Sequence, residues 1–317
     1  MAAPEQSLPF ERKLAALRER VEEAETAEER KALEQLLEAQ EDAALTGMTA
    51  WQQVLMARHA KRPRMLDYTP RVFEDFIELH GDRMLGDDPA MVCGIGRFRG
   101  ETVFVAGQQK GVSTDEKVRR NFGMVHPWGF RKALRTFRLA ERLGYPLVTF
   151  VDTPAAHPGP EAEQFGQGPA IAQNLLAAAQ LNTPVFAVVL SEGGSGGALA
   201  IAIADRTAMF EHAVYMICPP ERCAEILWRD AGKREQAAQA MKITAADLLE
   251  LGIIDTVLPE PRGGAHLDPD AAAATLAEEL AAFLAGCREG RWSLVRRRKR
   301  IRQLGQWFEE TLPRGTE

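Results

Sequence analysis

The segment Ser191–Ala200, SEGGSGGALA, decides how the rest of this sequence is interpreted. It follows the apolar run Pro184–Glu192 (PVFAVVLSE), which predicts a buried strand, and it opens a helix that we expect to include Ala198–Asp205. Four of the five residues from Gly193 to Gly197 are glycine, so another group can approach the backbone closely. The first N–H groups of a helix lack intrahelical partners and attract anions. The segment therefore predicts an oxyanion- or phosphate-binding loop, and close packing of the helix on the strand is the alternative explanation.

A second loop is expected to form the other wall of this site. The run Pro146–Thr153 (PLVTFVDT) predicts another buried strand. It is followed by Pro154–Pro160 (PAAHPGP), whose three prolines and one glycine exclude both helix and strand. Because α/β proteins bind ligands at the carboxyl ends of their strands, we expect the two loops to meet there.

Strand-like and helical patterns alternate through the central part of the chain, which predicts an α/β fold. Further strands are predicted at Thr102–Gly107, Arg206–Cys218 and Ile253–Leu258, and helices at Phe130–Leu143 and Gln167–Leu181. We divide the chain into a helical N-terminal extension, residues 1–65, an α/β core, residues 66–268, and a C-terminal helical region, residues 269–317. Pro63 and Pro70 are predicted to mark the break after the N-terminal helices.

The N-terminal extension is charged and carries apolar residues at helical spacing, which predicts two amphipathic helices or a helical hairpin. Thr26 is predicted to cap the second helix, with Glu29 completing a capping box. Two such helices bury little surface alone, so we expect them to pack on the core or on another chain.

Composition and charge exclude several classes of protein. Of 317 residues, 45% are hydrophobic and 26% are charged, which is a globular rather than a disordered composition. The net charge of −6 gives no reason to expect nucleic acid or a membrane as a partner. The four cysteines form no CxxC pair, so we expect reduced, mostly buried thiols and no metal site. The N-terminus has no apolar leader, and we expect a soluble, cytoplasmic protein.

The glycine segment also satisfies G-x-S-x-G, the nucleophile-elbow pattern of α/β-hydrolases, with Ser195 between Gly193 and Gly197. That activity requires an acid and a histidine further along the chain. The candidates are Asp205 or Asp255 and His212 or His266. A phosphate loop is not supported, because no lysine follows the glycines. A serine hydrolase using Ser195 therefore stays open as an alternative.

Six strings between about Leu66 and His266 carry a specific resemblance. They are GQQKG at Gly107–Gly111, RRNFGM at Arg119–Met124, GFRKALR at Gly129–Arg135, FVDTP at Phe150–Pro154, EGGSGGALAI at Glu192–Ile201 and PEPRGGAH at Pro259–His266. In these strings and their order, the chain resembles the alpha subunits of the carboxyltransferase component of bacterial acetyl-CoA carboxylase.

The resemblance implies a fold and an activity. The fold would be of the crotonase type (ClpP/crotonase), an α/β superhelix of ββα units with helical extensions at both ends. The activity would be transfer of a carboxyl group from carboxybiotin on a carrier protein to acetyl-CoA, giving malonyl-CoA in the first committed step of fatty acid synthesis. The implied partners are a beta subunit in an α2β2 assembly, the biotin carboxyl carrier protein and biotin carboxylase. The beta subunit would carry the zinc ribbon and most of the acetyl-CoA site.

The resemblance and the residue chemistry together suggest roles in the site. We assign the backbone N–H groups of Gly196 and Gly197 as oxyanion donors, with Gly193 and Gly194 shaping the loop. The residues expected around carboxybiotin are Gly193, Gly194, Ser195, Ala155, Ala156 and His157. The basic residues Lys110, Arg119 and Arg120 are candidates for contacts with CoA or the carrier, and a solvated helix face is the alternative for them. Because biotin itself can act as the base, no catalytic histidine or aspartate is required on this chain.

Some positions differ from the strings usual in that family. Ala155 and His157 stand where the family usually has glycine and tyrosine, and Phe165 and Val112 each replace an arginine. These differences leave open a second alternative, a crotonase-type structural or regulatory subunit with weakened catalysis.

A basic run, RRRKR at residues 296–300, is the strongest positive segment of the chain. We expect a helix that docks on an acidic partner or is simply solvated, rather than a nucleic-acid contact. Trp292 and Trp307 flank the run and are candidates to anchor an interface.

Overall fold

The structure, a computed structural model, describes residues 11–305, and a mixed sheet of eight strands forms its centre. The strands are β1 Glu74–Glu78, β2 Met91–Phe98, β3 Glu101–Gln108, β4 Leu147–Thr153, β5 Val185–Gly194, β6 Arg206–Phe210, β7 Val214–Met216 and β8 Thr256–Leu258. The helices are α1 Glu11–Glu23, α2 Ala27–Thr46, α3 Ala50–Ala57, α4 Met65–Val72, α5 Thr114–Arg119, α6 Pro127–Leu143, α7 Pro160–Gln164, α8 Gln167–Gln180, α9 Ser195–Ala202, α10 Pro220–Trp228, α11 Arg234–Ala240, α12 Ala245–Glu250, α13 Pro269–Arg288 and α14 Leu294–Gln303.

The strand order brings the two predicted loops to one edge of the sheet. The order is β1-β2-β3-β4-β5-β6-β8, and β7 pairs with the end of β5. The pairs β1–β2 and β2–β3 are antiparallel, and the remaining pairs are parallel. β4 and β5 are direct neighbours, in register from Leu147 opposite Val185 to Val151 opposite Val189. The loops that follow β4 and β5 therefore begin side by side, as predicted.

Every residue of β4 and β5 is buried. A parallel strand covered on both faces must be apolar at successive positions rather than at alternate ones. This is why both strands appear in the sequence as unbroken apolar runs. The polar residues that they do contain, such as Asp152 and Glu192, lie near their carboxyl ends.

Two sequence predictions are corrected by the structure. The run Arg206–Cys218 forms two strands, β6 and β7, because the chain turns at Glu211 and His212 and β7 then pairs with the end of β5 instead of continuing beside it. Pro70 lies inside α4 and does not precede it. The helix tolerates the missing N–H group there and ends two residues later, at Val72.

The N-terminal helices pack on the chain's own core. Thr26 caps α2 as predicted, its hydroxyl accepting a hydrogen bond from the Glu29 N–H at 3.2 Å. From α3, Trp51 and Val54 belong to a buried apolar cluster that also contains Val214 of β7. The N-terminal extension thus reaches the strand that pairs with the glycine segment.

The basic run on α14 docks on acidic residues of this same chain. Arg297 is fully buried, and its Nε donates to Asp205 at 2.9 Å. Arg300 forms a 2.8 Å ion pair with Asp255. Of the two flanking tryptophans, Trp292 is half-buried, and Trp307 lies outside the described residues.

All four cysteines are free thiols; Cys93 is buried, and the other three are half-buried, so the prediction of mostly buried thiols is right for Cys93 alone. Within residues 11–305, no helix is both long enough and apolar enough to cross a membrane. In the same part of the chain, no group of three or more histidine, cysteine or acidic side chains is arranged to hold a metal ion.

Candidate active site

The glycine segment and the loop after β4 touch each other. A Cβ atom added to Gly194 would overlap the carbonyl oxygen of Pro154. One added to Gly197 would lie 2.6 Å from the carbonyl carbon of Ala155. These two glycines are therefore required by the close approach of the loop, so the packing explanation holds for them. The prediction that the two loops meet is confirmed.

Gly196 differs from its neighbours because it faces open space. A Cβ atom added there would come no closer than 3.7 Å to any neighbouring atom, the nearest being in the Ile171 side chain. Gly196 lines a cleft of about 470 Å³. The other lining residues are Ser195, Leu199, Tyr215, Met216, Ile217, Met241, Lys242, Ile243, Leu248, Leu251 and Ile253. The packing of this chain thus leaves a free approach to the backbone of Gly196.

The cleft is mainly apolar, and two of its lining residues, Ser195 and Tyr215, carry hydroxyl groups. Burial raises the pKa of Tyr215 to about 12, so at neutral pH its hydroxyl can donate a hydrogen bond. The ring of Tyr215 also leaves no room for a side chain at Gly193 on the neighbouring strand, because a Cβ atom added there would lie 2.8 Å from the ring. Gly193 is thus required by packing, like Gly194 and Gly197.

Ser195 is exposed and has a left-handed backbone, with φ of 55°. None of the partners suggested for a serine hydrolase lines the cleft beside Ser195. The two acids, Asp205 and Asp255, pair with arginines of α14. The backbone N–H of His212 donates to Glu260, and the ring of His266 lies 4.0 Å from that of His59. The geometry gives no support to a triad around Ser195.

The loop after β4 is held by an array of rings. The His157 ring lies 4.3 Å from that of His126, which stacks at 4.5 Å on Trp128. Trp128 meets Phe165 edge to face at 6.0 Å. Burial, and then repulsion from His126, lowers the pKa of His157, so the ring is neutral at pH 7. The two unusual residues His157 and Phe165 therefore belong to one packed array.

Ala155 fits its position without strain. Its backbone is not among the left-handed residues of the described chain, so a side chain is tolerated there. The Thr153 hydroxyl accepts a hydrogen bond from the Ala155 N–H at 3.3 Å. The replacement of glycine by alanine is thus accommodated by the local backbone.

A buried cluster of charges, which no sequence pattern predicted, lies under the two loops. The Lys110 ammonium lies 3.0 Å from Asp152 Oδ1 and 2.9 Å from Glu192 Oε2. Asp152 is near the end of β4, and Glu192 is near the end of β5. One cation therefore contacts a carboxylate beneath each loop.

Two arginines from the N-terminal helices complete the cluster. Arg58, which ends α3, donates to Glu192 at 2.8 Å and to Glu221 at 2.7 Å. Arg64, which begins α4, lies 3.4 Å from Asp152. These contacts connect the N-terminal extension directly to the ends of the central strands.

Both central carboxylates are ionised. Burial opposes the charge on Asp152, but attraction from Lys110 and Arg64 outweighs it and lowers the pKa of that carboxyl. For Glu192, Lys110 and Arg58 likewise outweigh burial and lower the pKa to about 2. At neutral pH the cluster is therefore a set of ion pairs.

Gln108 links the same two segments through the backbone. Its amide nitrogen donates to the Gly197 carbonyl at 2.7 Å, and its amide oxygen accepts from the Asp152 N–H at 3.0 Å. Gln108 is the last residue of β3, and Lys110 lies two residues beyond the strand. The run of three polar residues, Gln108–Lys110, directly after an apolar strand was the signal for these functional candidates.

The three basic candidates for CoA or carrier contacts have different environments. Lys110 is buried in the charge cluster. Arg120 is also buried, and it bonds to Glu116 at 2.8 Å and to the Pro89 carbonyl at 2.7 Å. Both charges are thus engaged within the chain, whereas Arg119 is exposed.

A second buried ion pair contacts the backbone of β5. Arg62 donates to the Leu190 carbonyl at 2.9 Å and to Glu260 at 2.8 Å. The side chains of Arg62 and Glu260 are fully buried. Despite burial, attraction from Arg62 lowers the pKa of Glu260 to about 2. Burial, and then repulsion from His59 and Arg62, lowers the pKa of nearby His266 to about 3.

Comparison with known proteins gives one consistent family. A family model described as acetyl co-enzyme A carboxylase carboxyltransferase-like matches residues 5–305. The acetyl-coenzyme A carboxylase carboxyl transferase subunit alpha of Acaryochloris marina is 50% identical over 277 residues, which cover 84% of this chain and 85% of that protein. A protein of the same name from Thermus thermophilus is 49% identical over 275 residues, covering 86% and 87%. The one from Alcanivorax borkumensis is 55% identical over 238 residues, covering 75% and 74%.

Solved structures show the same fold at low sequence identity. The hexameric transcarboxylase 12S matches with a TM-score of 0.57 and 20% identity, covering 69% of this chain and 40% of that one. The geranyl-CoA carboxylase beta subunit of P. aeruginosa matches with a TM-score of 0.55 and 16% identity, covering 74% and 45%. This chain thus spans less than half of each of those longer chains. The matches confirm the predicted α/β, crotonase-type fold.

Proposed function

The chain belongs to the family of acetyl-CoA carboxylase carboxyl transferase alpha subunits, and we propose on that basis that it transfers a carboxyl group from carboxybiotin to acetyl-CoA. The product is malonyl-CoA. In this reaction a carbon–nitrogen bond of carboxybiotin breaks and a carbon–carbon bond to the acetyl methyl carbon forms. The methyl proton passes to the biotin ring.

The observation that carries this proposal is the open approach to Gly196 beside the contact of the two loops. Negative charge develops on an oxygen atom as the carboxyl group leaves carboxybiotin, and the N–H groups of Gly196 and Gly197 at the start of α9 stabilise it. Removing one such donor typically costs about 2.7–4 kcal/mol of transition-state stabilisation. No side chain of this chain is required to act as a nucleophile.

Carboxybiotin fits the residues of the cleft. Its bicyclic ring is apolar on its faces, like Leu199, Met216 and Ile243, and its ureido group carries an oxygen that accepts hydrogen bonds. The absence of a side chain on Gly196 leaves the backbone accessible to that oxygen. Around this position, Gly193 and Gly194 shape the loop. A contact to the ring is proposed for Ser195, which lines the cleft, whereas Ala155, Ala156 and His157 lie outside its lining.

The partners follow from the alpha-subunit family. We place the chain in an α2β2 assembly with a beta subunit that holds most of the acetyl-CoA site, working with the biotin carboxyl carrier protein and biotin carboxylase in the cytoplasm. Among the three basic candidates, exposed Arg119 is the proposed contact to CoA or the carrier. Residues 66–268 are proposed as the carboxyltransferase core, between helical extensions at residues 1–65 and 269–317.

The test is reconstitution. The full chain is mixed with a beta subunit, carboxylated carrier protein labelled with ¹³C in its carboxyl group, and acetyl-CoA. The expected product is malonyl-CoA heavier by one ¹³C atom, detected by mass spectrometry. A Gly196→Val variant places a branched side chain over the open backbone of Gly196 and is expected to lose at least tenfold in rate, which corresponds to about 1.4 kcal/mol.

The matched control is Leu176→Val, an exposed site on α8 away from the cleft, which is expected to keep the wild-type rate. Failure to form labelled malonyl-CoA at any subunit ratio, with both chains folded, would contradict the proposal. That outcome would favour the alternative of a structural subunit with weakened catalysis.

A further inference from the structure

Lys110 joins the two loops of the site through one buried ammonium group. We propose that Lys110 is a positioning residue that holds the loop after β4 and the glycine segment after β5 in register with each other. The inference deepens the function proposed above, because these two loops form the carboxybiotin site. It assigns Lys110 a role different from the contact with CoA or the carrier suggested by its charge.

The contacts of Lys110 span two strands. Its Nζ lies 3.0 Å from Asp152 Oδ1 and 2.9 Å from Glu192 Oε2. Asp152 is two residues before Pro154, which touches Gly194, and Glu192 directly precedes the glycines. A shift of either carboxylate is therefore transmitted to its loop through one or two residues of chain.

The other cations of the cluster cannot replace this bridge. Arg64 contacts Asp152 at 3.4 Å, and Arg58 contacts Glu192 at 2.8 Å and Glu221 at 2.7 Å. Each of these arginines reaches one of the two central carboxylates. Among the described ion pairs of the cluster, the bridge between β4 and β5 is made by Lys110.

The aliphatic part of the Lys110 side chain packs against Gly123. A Cβ atom added to Gly123 would lie 2.8 Å from the Lys110 Cγ, so the segment Asn121–Gly123 packs on the aliphatic part of the side chain. That segment is also joined to β4, because the Thr153 hydroxyl lies 2.7 Å from the Gly123 carbonyl oxygen. The ammonium is thus delivered to its two acceptors by a side chain with little freedom.

Two variants separate the effect of the Lys110 charge from the effect of the bridge that it forms. Lys110→Met leaves the cluster with one excess negative charge and no ion bridge, while the Ser191 hydroxyl still donates to Asp152 and Gln108 still joins Asp152 to Gly197. The double variant Lys110→Met/Glu192→Gln removes one charge of each sign. In it, Asp152 keeps Arg64 and Arg58 keeps Glu221, so the charge balance of the wild type is restored without the bridge.

The experiment measures hydrogen–deuterium exchange of the full chain by mass spectrometry, in peptides that cover residues 153–157 and 191–198. Both peptides are expected to exchange at least tenfold faster in Lys110→Met and in the double variant, because loss of the bridge increases local opening of both loops. The matched control is Arg297→Met. Arg297 on α14 is another buried cation with a carboxylate partner, Asp205, which directly precedes β6. It is expected to leave exchange in both peptides unchanged.

A second measurement follows turnover with the beta subunit. The variants lacking the bridge are expected to lose about 100-fold in kcat, the effect typical of misplaced catalytic groups, with KM for acetyl-CoA within threefold of wild type. The double variant is expected to recover most of the thermal stability lost in Lys110→Met but not the kcat. A purely structural role would restore both.

The proposal is overturned if Lys110→Met leaves either peptide at the wild-type exchange rate, if Arg297→Met accelerates both peptides equally, or if the double variant recovers wild-type exchange and kcat. Should Lys110→Met fail to fold, the charge-balanced double variant carries the test. A wild-type assembly without turnover would contradict the proposed function, whereas the exchange result would still decide the role of Lys110.

Discussion

Gly194 lies against Pro154 so closely that a Cβ atom on the glycine would overlap the proline carbonyl oxygen. The two residues follow neighbouring parallel strands, β5 and β4. Their contact closes one side of the site, while Gly196, two residues further on, remains open to the cleft. Glycine is thus required at these two positions of one short segment for different physical reasons: close packing at Gly194 and an open approach to the backbone at Gly196.

This difference predicts opposite outcomes for two alanine substitutions. Gly194→Ala forces the loops apart and is expected to lower the free energy of unfolding by about 1–3 kcal/mol or more, as overpacking does. Gly196→Ala has room for its Cβ and is expected to stay within about 1 kcal/mol of wild type, yet to lose at least tenfold in carboxyl transfer. Urea denaturation and the labelled malonyl-CoA assay measure the two effects. Equal stability losses in both variants would contradict the packing argument.

Ser195 is predicted to have a strained backbone, and its hydroxyl is predicted not to act as a catalytic nucleophile. Its φ of 55° suits glycine, so Ser195→Gly is expected to be at least as stable as wild type. Ser195→Val is expected to be less stable by about 1–2 kcal/mol, because β-branched residues fit this conformation poorly. A fluorophosphonate probe is expected to leave wild-type Ser195 unlabelled. Labelling that disappears in Ser195→Ala would instead support the hydrolase alternative.

The pKa of His266 predicts a loss of stability in mild acid. Its pKa is about 3 in the folded chain against 6.5 for an unperturbed histidine. The unfolded state therefore binds the proton first, and stability is lost as the pH falls from 6.5 towards 3. His266→Gln is expected to reduce the slope of unfolding free energy with pH in that window, by at most about 1.4 kcal/mol per pH unit. Urea denaturation at pH 7, 6, 5 and 4 measures it, and identical slopes would contradict the prediction.

Removing one partner of the buried pair Arg62–Glu260 is predicted to lower the free energy of unfolding strongly. Arg62→Met leaves the Glu260 carboxylate buried and unpaired, and is expected to cost about 3–5 kcal/mol in free energy of unfolding. The double variant Arg62→Met/Glu260→Gln is expected to lose less. As a control, Arg222→Met breaks the exposed pair with Glu225 and should cost at most about 1 kcal/mol. A double variant less stable than Arg62→Met would contradict the argument.

Much of the fold was predictable because it depends on local patterns. The apolar runs that became β4 and β5 lie within two residues of their predicted limits, since strands covered on both faces need continuous apolar sequence. The limits of α9 were less accurate: the helix begins at Ser195 and ends at Ala202, three residues before Asp205. Asp205 instead directly precedes β6, and its backbone N–H donates to the Val185 carbonyl at 2.9 Å.

Some of the functional candidates were likewise predictable from local sequence patterns, and others depended on the tertiary structure. Short stretches of sequence were enough to predict the glycine segment, the loop at Pro154–Pro160 and their meeting at one sheet edge. Each of the two segments follows a strand, and neighbouring parallel strands end together. The position of Lys110 depends on partners 42 and 82 residues away, and periodicity carries no information on which distant charges pair. Packing of β3, β4 and β5 alone brings that ammonium between two buried carboxylates, where desolvation makes pairing obligatory.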